Sequence, residues 1–282
     1  MVVLDNFKGI IGCYDGYVYC VHLKTGEIIW KYHTGDIVKC TAVLCESQRN
    51  IFIGSYDHNV YCLSIENGSK NWNVEASEGS ISASGCLHPR TGSVLFGTLD
   101  GSCLAIAQAT GNVIWKRKLA DPIFVTPVTL HNGSVLFCSV GGTLICYNIE
   151  LDTELWTYQI NGNIFAYPVT RYDSTTNSES IIIASLAKNI YHLELKPVGE
   201  KTEPIVKNIK KLPSPIFATP WYENGLMCVA CTDGTLYIYK LSQGDILSSI
   251  KLGGEIFSSP VMANGLVTVG CRDNNLYVLE LE

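Results

Sequence analysis

A short unit recurs seven times along the chain, and no other feature constrains its fold as tightly. The copies are "GCYDGYVYC" from Gly12, "GSYDHNVYC" from Gly54, "GTLDGSCLA" from Gly97, "CSVGGTLIC" from Cys138, "ASLAKNIYH" from Ala184, "ACTDGTLYI" from Ala230 and "GCRDNNLYV" from Gly270. The equivalent positions Asp15, Asp57, Asp100, Gly141, Ala187, Asp233 and Asp273 are 42, 43, 41, 46, 46 and 40 residues apart, the length of a four-stranded propeller blade.

Inside each copy, apolar and polar residues alternate between turn residues, the pattern of short antiparallel strands. Asp-Gly and its stand-ins supply the positive φ that a tight hairpin needs. Thr25-Gly26, Asn67-Gly68, Thr110-Gly111 and Gln243-Gly244 mark the next turn. Trp30, Trp72, Trp115 and Trp156 each follow four residues after that turn, whose last position is Asp152 in the fourth copy. One large aromatic at a fixed place per blade suits a plug between neighbouring blades, because a single four-stranded sheet cannot bury both its faces. The chain is therefore expected to be all-β, a seven-bladed propeller of four-stranded antiparallel blades over residues 1–282.

The ends are out of phase with the blades. "IFVTP", "IFAYP", "IFATP" and "IFSSP" mark the inner strands, their prolines Pro127, Pro168, Pro220 and Pro260 lying 10 to 16 residues before the following copy, and counting back from Gly12 by the shortest of these intervals lands on Val2, inside an inner strand. The seventh copy ends after its third strand, so the last blade is expected to lack its outer strand. This predicts a segment of a larger polypeptide whose upstream residues close the ring. Two stretches depart from the repeat: "RYDSTTNSES" (Arg171 to Ser180) and "KPVGEKTEPIVKNIKKLPSP" (Lys196 to Pro215). Their polarity predicts surface loops, with a docking site as the alternative.

Composition supports extensive burial: 47% of residues are hydrophobic and 16% charged, against about 25% charged for an average domain. Pro122 to Ile149 carries no Asp, Glu, Lys or Arg, but Pro127, Asn132-Gly133 and Gly141-Gly142 cut it into strand-sized pieces, so no membrane span is expected. The net charge of −6 and scattered basic residues argue against nucleic acid as a partner.

Twelve cysteines raise redox and zinc chemistry. Cys20, Cys62 and Cys146 share one repeat position, and Cys13, Cys231 and Cys271 another where other copies have Ser or Thr. A ring holds equivalent positions of different blades beyond the roughly 7 Å Cα reach of a disulfide, so free thiols are expected, and with them a cytoplasmic setting. "CVAC" (Cys228 to Cys231) has metal-like spacing, yet positions i and i+3 of a strand face opposite ways. The six histidines are spread over several repeats and mostly lie in turns, with no order pointing to a Ser-His-Asp or Cys-His site.

The remaining candidate is a row at the inner strands: Val38, Ser82, Phe124, Phe165, Phe217 and Phe257, with Lys39 the charge beside it. Either the row packs between blades, or it lines the central channel as a ligand-binding collar with Lys39, Phe124, Phe165, Phe217 and Phe257 as its contacts.

The "DG…Y…TG…W" repeat resembles that of the quinoprotein-type propellers over essentially the whole chain. Dehydrogenases of that superfamily have eight blades, an adjacent Cys-Cys pair under the quinone and a calcium site beside a catalytic Asp. This sequence has seven copies and no adjacent cysteines. A closer resemblance is to the C-terminal propeller of the animal β-alanine-activating enzymes, or 2-aminoadipic 6-semialdehyde dehydrogenase-like proteins, carried by "GCYDGYVYCV" and "GCRDNNLYVLEL". That resemblance implies a non-catalytic module that holds a partner or presents substrate within an adenylate-forming acid–thiol ligase. The implied partners are upstream adenylation and carrier domains or another protein; it implies no catalytic residue, metal or cofactor here. The alternative it leaves is a domain binding pyrroloquinoline quinone or another small ligand in a semialdehyde dehydrogenase-like oxidoreductase.

Overall fold

The computed structural model describes residues 1–282 except 5, 6, 46, 199, 200, 242, 243 and 282. Among the described residues there is no helix, and the strands form seven antiparallel sheets in chain order. Six have four strands joined consecutively and the last has three, the count and order expected of a seven-bladed propeller without its final outer strand. The first inner strand is Val2–Leu4 and the last strand Leu276–Glu280. Residues without charge from Pro122 to Ile149 fall into Val128–Thr129, Val135–Cys138 and Thr143–Asn148, strands as expected.

The chain divides into two compact units, 1–139 with 145–154 and 140–144 with 155–282. The first unit holds three complete sheets and much of the fourth. Its core is a series of layers: Ile10, Val18, Val38 and Ile53 in one, Phe52, Ile81, Phe96 and Leu104 in the next, Trp115, Ile123, Phe137 and Tyr147 in the third. Each layer is filled from the facing sides of two consecutive sheets, as single sheets require. In the second unit, Ile182, Ile216, Met227 and Tyr239 make one layer and Cys228, Ile238, Ile256 and Val267 another.

The turn aspartates have a structural role in common. Asp15, Asp57, Asp100, Asp233 and Asp273 each accept the N–H two residues on, at 2.9–3.2 Å. Asp15, Asp57 and Asp273 also take the hydroxyl of the tyrosine four residues later, Tyr19, Tyr61 and Tyr277, at 2.5–2.6 Å. The side chain thus stabilises the positive-φ turn locally and ties it to the next strand.

Tryptophan is the wedge that the repeat implied. Trp30 lies against Gly68 and donates its indole N–H to the Ile65 carbonyl at 3.0 Å. Trp72 lies against Gly111 and donates to the Gln108 carbonyl at 2.8 Å. A Cβ on Gly68 would stand 2.5 Å from the Trp30 ring, and one on Gly111 2.8 Å from Trp72, so glycine serves both the positive φ and the indole. Trp115 meets Asp152 instead: the carboxylate accepts the indole N–H at 2.8 Å and pairs with Arg117, and both hydrogen bonds hold the Asp152 carboxyl below its ordinary range. Asp152 tolerates the left-handed backbone there, with φ 54°. Next to each of Trp30, Trp72 and Trp115 the third and fourth strands slip register by one residue, between Cys20 and Val21, Cys62 and Leu63, and Ala105 and Ile106. Such a bulge increases local twist.

The two departures from the repeat are strands rather than loops. Arg171 to Ser180 is a hairpin between Val169–Asp173 and Ser178–Ala184, closed by a turn at 174–177. Lys196 to Pro215 carries the end of a ten-residue strand, Asn189–Val198, and an eleven-residue one, Lys201–Lys211. Their polarity marks a solvated hairpin, longer than the six-residue strands of other sheets, whose backbone groups are paired within it.

All twelve cysteines are free, nine of them buried. Cys228 and Cys231 pack into different layers, as opposite faces of one strand demand. Among the described residues no three His, Cys, Asp or Glu side chains converge as metal ligands. Among the described residues no helix is long and apolar enough to cross a membrane.

Candidate functional site

The aromatic row lies just before the inner strands, in bent segments that form no ladder of their own, and not on the strands as expected. Its register also differs by one residue in the first unit. The amides of Val38, Ile81 and Ile123 each donate, at 3.0 Å, to the carbonyl of Cys13, Ser55 and Thr98 in the preceding hairpin. Their side chains crowd Gly12, Gly54 and Gly97, where a Cβ would come within 2.2–2.5 Å of them. Val38 therefore belongs with the fully buried Ile123, Ile164, Ile216 and Ile256, and the row proper is Lys39, Ser82, Phe124, Phe165, Phe217 and Phe257. Lys39 is exposed and the four phenylalanines are half-buried. With both neighbours of each phenylalanine turned inward, save at Ser258, the rings are left at the surface side of these segments.

Lys39 and Phe124 lie in the first unit. In the second unit the structure brings the other three together: Phe165 stacks on Phe217 at 4.9 Å and 14°, and Phe217 meets Phe257 edge-on at 5.5 Å. The Arg272 guanidinium stands 4.0 Å from the Phe257 ring centre and pairs with Glu255 at 3.2 Å. A hydroxyl follows the same path. The Tyr167 amide donates to Thr219 Oγ1 at 2.9 Å and the Thr219 amide to Ser259 Oγ at 3.0 Å, locking adjacent segments side by side. The result is a rigid strip of three half-exposed rings ending in a cation, with the exposed Tyr167 ring nearby in the chain.

A second feature of this unit was not legible from the repeat. A cavity of about 170 Å³ opens between the fifth and sixth sheets, lined by Arg171, Ser180, Ile182, His192, Tyr222 and Leu241. His192 Nε2 lies 3.1 Å from Ser180 Oγ, and burial pushes the imidazole pKa down, toward the neutral form at physiological pH. The only sign of it in the sequence is a loss: the fifth copy has Asn208 where four others have tryptophan.

The chain matches, over residues 1–281, the family model described as the β-propeller of the β-alanine-activating enzyme. It belongs to that propeller family. Among curated proteins it is 36% identical over 263 residues to the β-alanine-activating enzyme of Drosophila melanogaster, covering 89% of this chain and 26% of that protein. The chain thus spans about a quarter of the length of the relative it matches. Among solved structures it superposes on BamB from Moraxella catarrhalis with a TM-score of 0.74 at 16% identity, over 99% of this chain and 83% of that one, a likeness of fold. In this chain the turn aspartates are occupied in hairpin hydrogen bonds, and the thiols Cys40, Cys62 and Cys228 are pushed up to between about 11 and about 12 by burial. Thiols so raised are almost wholly protonated at neutral pH.

Proposed function

We propose that this propeller is a non-catalytic docking module of an ATP-dependent acid–thiol ligase of the β-alanine-activating type, holding an adenylation or carrier domain, or another protein, in position. The observation that carries the reading is the strip of Phe165, Phe217 and Phe257 capped by Arg272. Aromatic rings and arginine, presented rigidly and half-desolvated, are what protein interfaces use as anchors. A cytoplasmic setting suits the free thiols, and neither a metal nor a cofactor is needed for docking. Calorimetric titration of the chain with separately produced adenylation and carrier domains of a β-alanine-activating enzyme tests it. Binding should weaken about tenfold or more with Phe217→Ala, the size of effect an interface anchor shows. Absence of binding, or an unchanged Kd for Phe217→Ala, would overturn the reading. Saturable one-to-one binding of pyrroloquinoline quinone that Phe217→Ala abolishes would replace it with the small-ligand alternative.

A further inference from the structure

The cavity between the fifth and sixth sheets follows from the one place where the wedge rule fails inside a complete pair of sheets. In the first two sheets the tryptophan is the cross-strand neighbour of a buried cysteine, Cys20 with Trp30 and Cys62 with Trp72. Its indole reaches a carbonyl three residues before the next sheet's turn glycine, Ile65 before Gly68 and Gln108 before Gly111. The corresponding pair in the fifth sheet is His192 with Asn208, with the same register slip beside it. The corresponding turn glycine is Gly244, against which the Asn208 amide lies, and the corresponding carbonyl residue is Leu241. His192 and Leu241, the residues between which an indole would stand, instead line an opening. Protein interiors rarely leave such space unfilled without cause.

What surrounds the opening is a graded set of groups. Arg171 and Ser180 are cross-strand partners, as are Ile182 and His192, so the fifth sheet presents all four from one patch. From the sixth sheet, Tyr222 accepts a hydrogen bond from Arg171 through its hydroxyl, and its ring lies 5.1 Å from the guanidinium. Arg171 is thereby held at the rim with part of its donor fork still available. Leu241 and the Tyr222 ring supply the apolar surface, above the fully buried Ile182. The acidic Glu194 on the same strand as His192 is paired with Lys207 at 3.0 Å, while Glu223 lines a separate, more open depression that shares Arg171, Tyr222 and Gly225 with the cavity. One fixed cation and two hydroxyls, with a carboxylate in the adjoining depression, suit a single negative charge better than two.

We infer that this cavity binds a small monocarboxylate with an aliphatic or aromatic body, its carboxylate on Arg171 and the Tyr222 and Ser180 hydroxyls and its body against Leu241 and the Tyr222 ring. The volume is below that of drug-sized pockets, which fits a compact metabolite or a single acidic chain end.

The site is independent of the phenylalanine strip, so its test does not share residues with the docking reading. Titrating the chain with benzoate and with hexanoate, read by NMR on the His192 and Tyr222 ring signals, should give saturable shifts, with benzyl alcohol and inorganic phosphate binding more weakly. Arg171→Gln should weaken the carboxylates about tenfold or more, as loss of a charge-assisted pair does. Asn208→Trp, which restores the wedge, should remove binding altogether. Absence of a saturable shift with either carboxylate, equal affinity in Arg171→Gln, or tighter binding of phosphate would overturn the assignment. Arg171 is exposed, so its variant remains decisive should Asn208→Trp fail to fold.

Discussion

The first three sheets and the fifth solve the same packing problem in opposite ways. In the former, an indole fills the seam to the next sheet and ends on a carbonyl or carboxylate. In the fifth, a short amide takes its place beside Gly244, Lys210 donates to the Gly244 carbonyl at 2.7 Å, and the outer hairpin lengthens to ten and eleven residues. The difference teaches that the wedge is a means of sealing a seam. Where a hydrogen bond from Lys210 to the next sheet's Gly244 ties the neighbours instead, the seam is free to stay open.

The comparison is broken most directly at the wedge itself. Trp115 is 7% exposed, stacked at 6.0 Å on Phe137 and set edge-on to Tyr147. Trp115→Ala should cost about 3–5 kcal/mol, the range for emptying a buried aromatic site. Asn208→Ala should cost under about 1 kcal/mol, one partly solvated hydrogen-bonding group. Urea unfolding followed by circular dichroism checks both, and equal losses would show that the two positions are not doing different things.

The turn glycines sharpen it at a smaller scale. Gly111 and Gly244 have φ of 77° and 71°, so alanine is strained at both, by about 1–2 kcal/mol. Only at Gly111 would the new methyl also strike an indole, at 2.8 Å, while at Gly244 it meets the end of the Asn208 amide. Gly111→Ala should therefore be the worse by about 1–2 kcal/mol, the cost of overpacking against a fixed ring. Matching midpoints in thermal melts would contradict the wedge account.

The smallest effect is in pH. Burial depresses the His192 pKa, with Glu194 opposing and Lys207 reinforcing the shift, so the unfolded chain binds the proton more readily than the folded one. Stability should fall as pH drops below about 6.5, the unfolded value, and level off below the folded value. His192→Gln should remove that component in urea titrations taken across this window. The wedged sheets have cysteine or alanine at the equivalent position and so no imidazole there.

Much of this architecture was legible because it is repetitive. Asp-Gly turns, alternating strands and the spaced tryptophans each have a local physical cause, and seven repetitions of a local cause add up to a fold. The row before the inner strands was legible in kind but not in register. Phenylalanine marks it in four copies, whereas Lys39 and Ser82 offer no shared chemistry, and only the amides of Val38 and Ile81 fix the count. The long hairpin of the fifth sheet was hidden by its polarity, since a ladder projecting into solvent has no apolar face to alternate. The cavity was the least legible. Arg171, His192 and Tyr222 are far apart in sequence, and what unites them is the absence of an indole at Asn208.

The free thiols have a practical consequence. Nine cysteines are buried, and burial holds Cys40, Cys62 and Cys228 almost wholly as the unreactive thiol at neutral pH. Each is silent toward alkylating reagents while its own seam is shut and labels when that seam parts. Alkylation followed by peptide mass mapping would therefore clock the breathing of individual blades without a single introduced probe.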